Sequence, residues 1–384
     1  MKVLHVINGL GTGGAERSLA ELLPLLAVAG IDSSVACLVR KPEGVHAQVE
    51  AAGYPVTVIG SDRLSAVRRL RALITADQPD VVHTTIFEAD VIGRVAAAGQ
   101  RCKVVSSIVN TTYDGLRLAD TQINPAKLAA AKMLDRVTAR RLTDHFHAIS
   151  PAVRDSAIAH LGLRPERVTV IERGRDLARL GRASIDRRNA VRAMLGVPAD
   201  AEVVLSVGRQ EPQKDQALLL RAVATLTSTR PRLTVLHVGR AGKATAELER
   251  LAATTELAGR VRFLGHRDDV GDLLAASDVF AFPSVYEGLG GSVLEAMALG
   301  APVVVSDAPA LVDVVEGGRG GLVVPVGDAA ALAAAVERLL DDRALAAALA
   351  QQARQIFADR FTLERSAGRM VDMYAQVAGA RSRC

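Results

Sequence analysis

Tryptophan is absent from this chain, and aromatic residues make up only 3% of its 384 positions. A core of Ala, Val, Leu and Ile suits buried parallel strands and closely packed helices better than an aromatic-rich β-sandwich. Cysteine is scarce as well. Cys37, Cys102 and Cys384 are odd in number, widely spaced and form no Cys-x-x-Cys pair. That argues against a disulfide framework or a zinc site and makes a reducing compartment the default. No apolar run approaches the roughly 18 residues of a membrane span. The first run, Val3–Ile7, is short and stops at Asn8-Gly9, so it reads as a buried first strand and not as a signal peptide.

What is present is ordinary globular composition, 49% hydrophobic and 23% charged, which excludes a disordered or collagen-like chain. The length suggests two domains, at most three. Net charge is +5, and the excess is uneven: residues 1–176 hold 22 Lys+Arg against 18 Asp+Glu, residues 177–384 hold 25 against 24. Candidate basic patches are Arg68-Arg69-Arg71 and the segment from Lys127 to Arg141. Either they are solvated helix faces, or they draw the first half toward an acidic surface such as anionic lipid or a phosphorylated acceptor. Aromatics do not interleave with the cations, which speaks against nucleic acid.

Strand and helix signals alternate along the chain. Strands are expected at Val3–Ile7, Ser34–Leu38, Val56–Ile59, Val81–His83 and Val104–Val109, with helices at Ala15–Ala29, Ser65–Ile74 and Val91–Ala98. The pattern resumes with strands at Val203–Val207, Leu233–Val238, Val261–Leu264, Val279–Phe282 and Val303–Val305, and helices between them. The fold class is α/β: two doubly wound parallel-sheet domains of similar size facing a cleft, with ligands at the carboxyl ends of the strands. The polar stretch Asp176–Arg188 reads as the linker. The Ala/Leu-rich stretch at about Ala329–Ala358 is expected to be helical, with a final helix over about Leu363–Val377. The expected boundaries are 1–178, 179–360 and a C-terminal segment 361–384 that packs back on the first domain.

Three clusters carry the chemistry. The loop from Gly9 to Arg17, with Gly11, Gly13 and Gly14, follows a strand and opens a helix, so its backbone can approach an anion. A dinucleotide site would also want an acidic residue after the second strand, where Arg40-Lys41 stands instead; an NADP-type site tolerates that. In the second cluster, Gly208 to Asp215, Arg209 and Lys214 lie five apart across a turn and can reach one diphosphate. The third runs from Phe282 to Gly300 and sets Glu287 and Glu295 on either side of a glycine-rich helix start at Gly288-Leu289-Gly290-Gly291. Carboxylates beside an anion-binding turn make sense when they accept hydrogen bonds from sugar or ribose hydroxyls.

This third string resembles the E-x7-E signature of retaining glycosyltransferase family 4, whose members have the two-Rossmann-domain GT-B fold. Other stretches are similar to that family: Gly13-Gly14-Ala15-Glu16-Arg17, Val207-Gly208-Arg209 with Lys214, Ala148–Val153, Val170–Gly174, and Gly265-His266-Arg267. The resemblance implies that Arg209 and Lys214 neutralise the donor diphosphate as leaving group. It implies that Glu287 contacts hydroxyls of the transferred hexose, that Glu295 binds the ribose, and that Gly288 to Gly291 hold sugar and phosphate. Gly13 and Gly14 would let the first loop approach the donor phosphate and the acceptor, and the base would lie near Arg267. Arg209, Lys214 and Glu287 are then the catalytic candidates.

The same resemblance implies a hexose-type sugar passing from a nucleoside diphosphate, UDP ahead of GDP or ADP, to a hydroxyl acceptor on a polysaccharide, a lipid-linked glycan or a small metabolite. No Asp-x-Asp occurs in the chain, so cationic side chains replace the divalent metal of other transferases, and no cofactor or metal is expected. The chain departs from the family at Val109, where a histidine is common; His83 and Asn110 are candidate acceptor or sugar contacts. His145 and His147 read as structural. The string Glu172-Arg173-Gly174-Arg175-Asp176 departs from the usual Asn-Gly landmark. The expected location is cytoplasmic, with contact at the inner face of an anionic membrane through the first domain. An NADP-dependent oxidoreductase, a nucleotide-sugar epimerase on the same fold and a non-catalytic sugar-nucleotide binder are the alternatives.

Overall fold

The structure is a computed structural model and describes residues 1–115 and 124–379. Cys384, and residues 380–384 of the expected C-terminal segment, lie outside the described residues; Cys37 and Cys102 are free thiols. The chain packs as two units, one of residues 1–174 together with Leu363 onward, the other Arg175–Thr362.

The first unit holds β1 (Lys2–Ile7), β2 (Asp32–Cys37), β3 (Val56–Val58), β4 (Val81–Thr85), β5 (Lys103–Ile108), β6 (His145–Ala148) and β7 (Val168–Val170). They form one parallel sheet in the order β3-β2-β1-β4-β5-β6-β7. The central strand β1 is buried from Val3 to Ile7, as a strand covered on both faces must be. On one face the core gathers Leu4, Val6, Val82 and Val104 against helices Arg63–Asp77 and Phe87–Ala97. On the other, Val3, Val81, Val105 and Ile171 meet Met370, Met373, Tyr374 and Val377 of helix Leu363–Gly379.

The second unit holds β8 (Glu202–Val207), β9 (Leu233–Val238), β10 (Val261–Phe263), β11 (Val279–Phe282), β12 (Val303–Ser306) and β13 (Leu322–Val324). These are also all parallel, ordered β10-β9-β8-β11-β12-β13. In both sheets the strand order reverses beside the first strand, at β1/β4 and at β8/β11. Loops leaving the carboxyl ends of strands at such a reversal diverge and open a crevice for ligands.

Several expectations need correction. Asp176–Arg188 is not an open linker. Asp176 caps a short helix, Leu177–Leu180, and Ser184 caps a second, Ile185–Leu195. The second helix shows little apolar period because much of its inward contact is made by an arginine: Arg192 is buried, pairs with Asp278 at 2.8 Å and donates to three backbone carbonyls within 3.0 Å. The unit boundary falls after Gly174, not Ala178, and the return after Thr362. The Ala/Leu-rich run is helical as expected; it divides into Ala329–Asp341 and Arg343–Arg360 because Asp342 breaks out of helical geometry and its carboxylate accepts from the Leu345 N–H. β4 extends past His83 to Thr85, so His83 sits inside the strand and not at its end.

Candidate functional site

In the second unit the residues singled out above lie at the carboxyl ends of β8, β10 and β11. The loop after β8 carries Arg209 and ends in a tight turn, Pro212–Lys214. The loop after β11 carries Glu287 and leads through Gly290 into helix Gly291–Leu299. Hydrogen bonds weld the two: Val285 N–H donates to the Gln213 carbonyl at 2.9 Å, Gln213 Nε2 to the Tyr286 carbonyl at 2.8 Å, and Ser292 Oγ to the Val207 carbonyl at 3.1 Å. Gln216 Nε2 fixes the Arg209 carbonyl at 2.9 Å. Gly290 has φ +87°, a left-handed conformation, and a Cβ there would lie 2.7 Å from Leu311 Cδ2. The glycine is therefore required for the chain to turn into the helix.

Lys214 forms an ion pair with Glu287, and its Nζ lies 4.9 Å from the centre of the Phe282 ring. Arg209 is mostly exposed, with only a loose 3.9 Å approach to Glu211. An exposed guanidinium beside a paired lysine is a cationic surface with capacity for an arriving anion. Arg267 is clamped by Asp269 through bonds of 2.8 and 2.5 Å, and that pairing raises its pKa and lowers that of Asp269. Its loop meets the turn after β9, where the Gly239 N–H donates to the Gly265 carbonyl at 2.8 Å.

Glu295 is buried one turn into its helix. Two arginines missed by sequence reasoning hold it, and both reach the same oxygen: Arg175 Nε lies 3.3 Å and Arg179 Nη2 3.4 Å from Oε1. Arg175 also lies against the helix start, since a Cβ on Gly291 would come 1.9 Å from its Nη2. A guanidinium at the positive end of a helix is unfavourable alone, and Glu295 supplies the compensating charge. Arg175 stands in the string Arg173-Gly174-Arg175, which departs from the family landmark; nothing in the sequence marks Arg179.

The first unit holds the other candidates. Gly13 caps helix Gly14–Val28, and Glu16 folds back so closely that a Cβ on Gly13 would lie 2.4 Å from its Oε2; Gly14 faces open space. Val109 and Asn110 follow β5 directly and are half-buried. His83 lies in the interior with both ring nitrogens engaged. It belongs to a chain of bonds whose direction is fixed by its last member. The Ile171 carbonyl can only accept, so His147 Nε2 carries the proton it donates at 2.8 Å. His147 Nδ1 then accepts from Ser107 Oγ at 2.7 Å, Ser107 accepts from His83 Nε2 at 2.7 Å, and His83 Nδ1 accepts from the Tyr374 hydroxyl. Both histidines are neutral in this arrangement. Burial lowers His147 to about 4 and His83 well below its ordinary value, and His5, whose ring is tilted against that of His83 with centroids 5.7 Å apart, is also lowered to about 4. A cavity of about 50 Å³ is lined by His5, His83, Ser107, His147 and Arg173. His145 is largely buried, bonded to Thr169 Oγ1 at 2.8 Å.

Two parallel Rossmann-like sheets, one presenting cations and glutamates at its strand ends, define the GT-B class. Comparison with known proteins places the chain within it. A model described as Glycosyltransferase Family 4 matches residues 12–179, and one described as Glycosyl transferases group 1 matches 187–356. The chain belongs to the GT-B glycosyltransferases of the family 4 type. It is 28% identical to the lipopolysaccharide core biosynthesis glycosyltransferase LpsE of Rhizobium meliloti, over 99% of this chain and all of that one. It is 32% identical to a D-inositol 3-phosphate glycosyltransferase of Salinispora arenicola, over 82% of this chain and 73% of the relative. The crystal structure of Anabaena HepE in complex with UDP and glucose superposes with a TM-score of 0.86 at 26% identity, covering 98% of this chain and all of that one.

Proposed function

We propose that the protein is a retaining, metal-independent hexosyltransferase that uses a nucleoside diphosphate sugar, UDP ahead of GDP or ADP, and a hydroxyl acceptor in polysaccharide, glycolipid or other glycoconjugate synthesis. The second unit binds the donor and the first the acceptor. The observation that carries the reading is the Lys214–Glu287 pair set beside exposed Arg209 at the reversal of the second sheet. Glu287 and Glu295 act as the E-x7-E pair.

In this reading the diphosphate takes Arg209 and Lys214 as its counter-charges. Glu287, relieved of part of its lysine contact, accepts hydrogen bonds from hexose hydroxyls, and Glu295 accepts from the ribose. The bond from the anomeric carbon to the phosphate oxygen breaks, and its electron pair stays on the phosphate. The acceptor oxygen bonds to the same face of that carbon and passes its proton to the departing phosphate. The cations stabilise charge where it develops, which is where such groups lower a barrier most. UDP in the HepE structures supports the choice of nucleotide.

Calorimetric titration of UDP, GDP and ADP in EDTA tests the donor site; a selective signal for one of them is expected. Lys214→Ala and Glu287→Ala should each lower kcat by roughly 10²–10³. Near-normal turnover in both would defeat the assignment, and conversion of a UDP-sugar without acceptor would favour the epimerase reading.

A further inference from the structure

We propose that Arg175 and Arg179 are positioning residues for the ribose of the donor: both hold one oxygen of Glu295 and leave the other for the sugar hydroxyls. The inference rests on the reading of Glu295 as the ribose contact. The ion-pair contacts to this carboxylate all go to Oε1, from Arg175 Nε at 3.3 Å and from Arg179 Nη2 at 3.4 Å. Oε2 takes neither an ion pair nor a hydrogen bond among the described residues, although the side chain is only 9% exposed. The terminal torsion of a glutamate is soft, so an unheld carboxylate turns freely. Two guanidinium groups on one oxygen stop that rotation and keep the lone pairs of Oε2 in a fixed direction. A ribose offers two adjacent hydroxyl donors to such an acceptor.

The two arginines stand on separately anchored backbone, all of it within the second unit. The Arg175 N–H donates to the Phe361 carbonyl at 2.9 Å, and Arg175 pairs with Thr362 in an isolated parallel bridge. Its guanidinium fills the space that Gly291 leaves open, since a Cβ on that glycine would collide with Nη2. Arg179 stands on helix Leu177–Leu180. Asp176 Oδ1 caps the start of that helix by accepting from the Ala178 N–H at 2.8 Å, and the Leu180 carbonyl at its end accepts from Arg187 Nη1 at 3.0 Å. Arg187 is tied in turn to Asp272 at 2.7 Å. One cation would suffice to neutralise Glu295. A second on the same oxygen, carried by a different segment, fixes its orientation. Removing either arginine leaves the buried carboxylate still paired, so the fold stands while the orientation relaxes.

The test is a binding cycle and needs no turnover. The full-length protein is titrated by calorimetry with UDP and with the dideoxy analogue of UDP, which lacks both ribose hydroxyls; if GDP or ADP gives the stronger signal, that nucleotide and its dideoxy analogue are used. The wild type should prefer the hydroxylated ligand by at least about tenfold, the strength of hydrogen bonds to a charged acceptor. Arg175→Met and Arg179→Met should each cut that preference to about threefold or less, with affinity for the dideoxy ligand unchanged within about a factor of two. Arg179 is a third exposed, so Arg179→Met keeps the test open if Arg175→Met fails to fold. A merely structural role would weaken both ligands alike. Equal loss for both in Arg175→Met would overturn the proposal and move that guanidinium to the phosphates. Preference lost in Glu295→Gln but kept in both arginine variants would overturn the positioning role and leave the ribose contact standing. No preference in the wild type, or no binding of any of the three nucleotides, would remove the ribose contact and the proposal together.

Discussion

Glu295 and Glu287 stand in the free protein with their charge already matched, the first by Arg175 and Arg179, the second by Lys214. The two pairs should separate kinetically. A ribose contact is made equally in the ground and transition states, so Glu295→Gln should raise the donor KM about tenfold and leave kcat within a factor of about three. Lys214→Ala should act mainly on kcat. Steady-state kinetics decide between them, and a kcat loss in Glu295→Gln as large as in Lys214→Ala would sink the division of labour. The Tyr374 hydroxyl offers a second test. Tyr374→Phe leaves His83 Nδ1 without its donor, and the first unit should lose about 1–3 kcal/mol in denaturant unfolding; a loss below about 0.5 kcal/mol would show that the bond carries nothing. Sequence exposed the glutamates because both lie in one string. Their partners were hidden: Arg179 is 116 positions from Glu295, and Tyr374 is 291 positions from His83. His83 drew notice as a site residue because it ends a short apolar run. Burial between three strands and a distant helix makes it a structural hydrogen-bonding group.

The turn after β9 shows how one element holds the next. Gly239 has φ +155°, and a Cβ there would fall 1.8 Å from the Gly208 carbonyl oxygen. Backbone cannot yield as a side chain end can, so Gly239→Ala must push the loop that presents Arg209. It should cost more than about 2 kcal/mol and weaken nucleotide binding. Gly259→Ala is the control: φ is +74° but nothing lies within 4 Å, so only the left-handed penalty of about 1 kcal/mol applies, with binding unchanged. Equal effects on nucleotide binding would refute the coupling. Most strands were legible because a two-sided parallel strand is a short apolar run. β6 was not, since His145 and His147 interrupt it, and helix Pro125–Leu142 showed only as a run of cations on a candidate helix face from Lys127 to Arg141, since its inward face is polar. An element that buries hydrogen bonds instead of hydrocarbon leaves no period to read.

Acid should weaken the whole molecule. His5 and His147, held near 4 in the fold against an ordinary value of 6.5, bind protons more readily when unfolded. Their stabilising contribution is complete above about pH 7 and falls as pH drops from 6.5 toward 4, by up to about 3 kcal/mol each. His83 acts in the same direction, and His237 does so in the second unit. Asp90, lifted by burial to about 6, works the opposite way and offsets part of the loss. Unfolding free energies at pH 8 and pH 5 should therefore differ by several kcal/mol; identical values would mean that the buried histidines find acceptors for the added protons.

The first unit is discontinuous along the chain, because its closing helix, Leu363–Gly379, comes after the entire second unit. During synthesis the sheet of β1 to β7 must therefore wait, with the cluster of Val3, Val81, Val105 and Ile171 covered by Leu26 and Ile31 but lacking its closing helix, while 188 residues of the other unit are made. The second unit, contiguous in sequence, can finish first. A nascent chain stalled before Leu363 would present one completed body and one open sheet, the form a chaperone or protease meets.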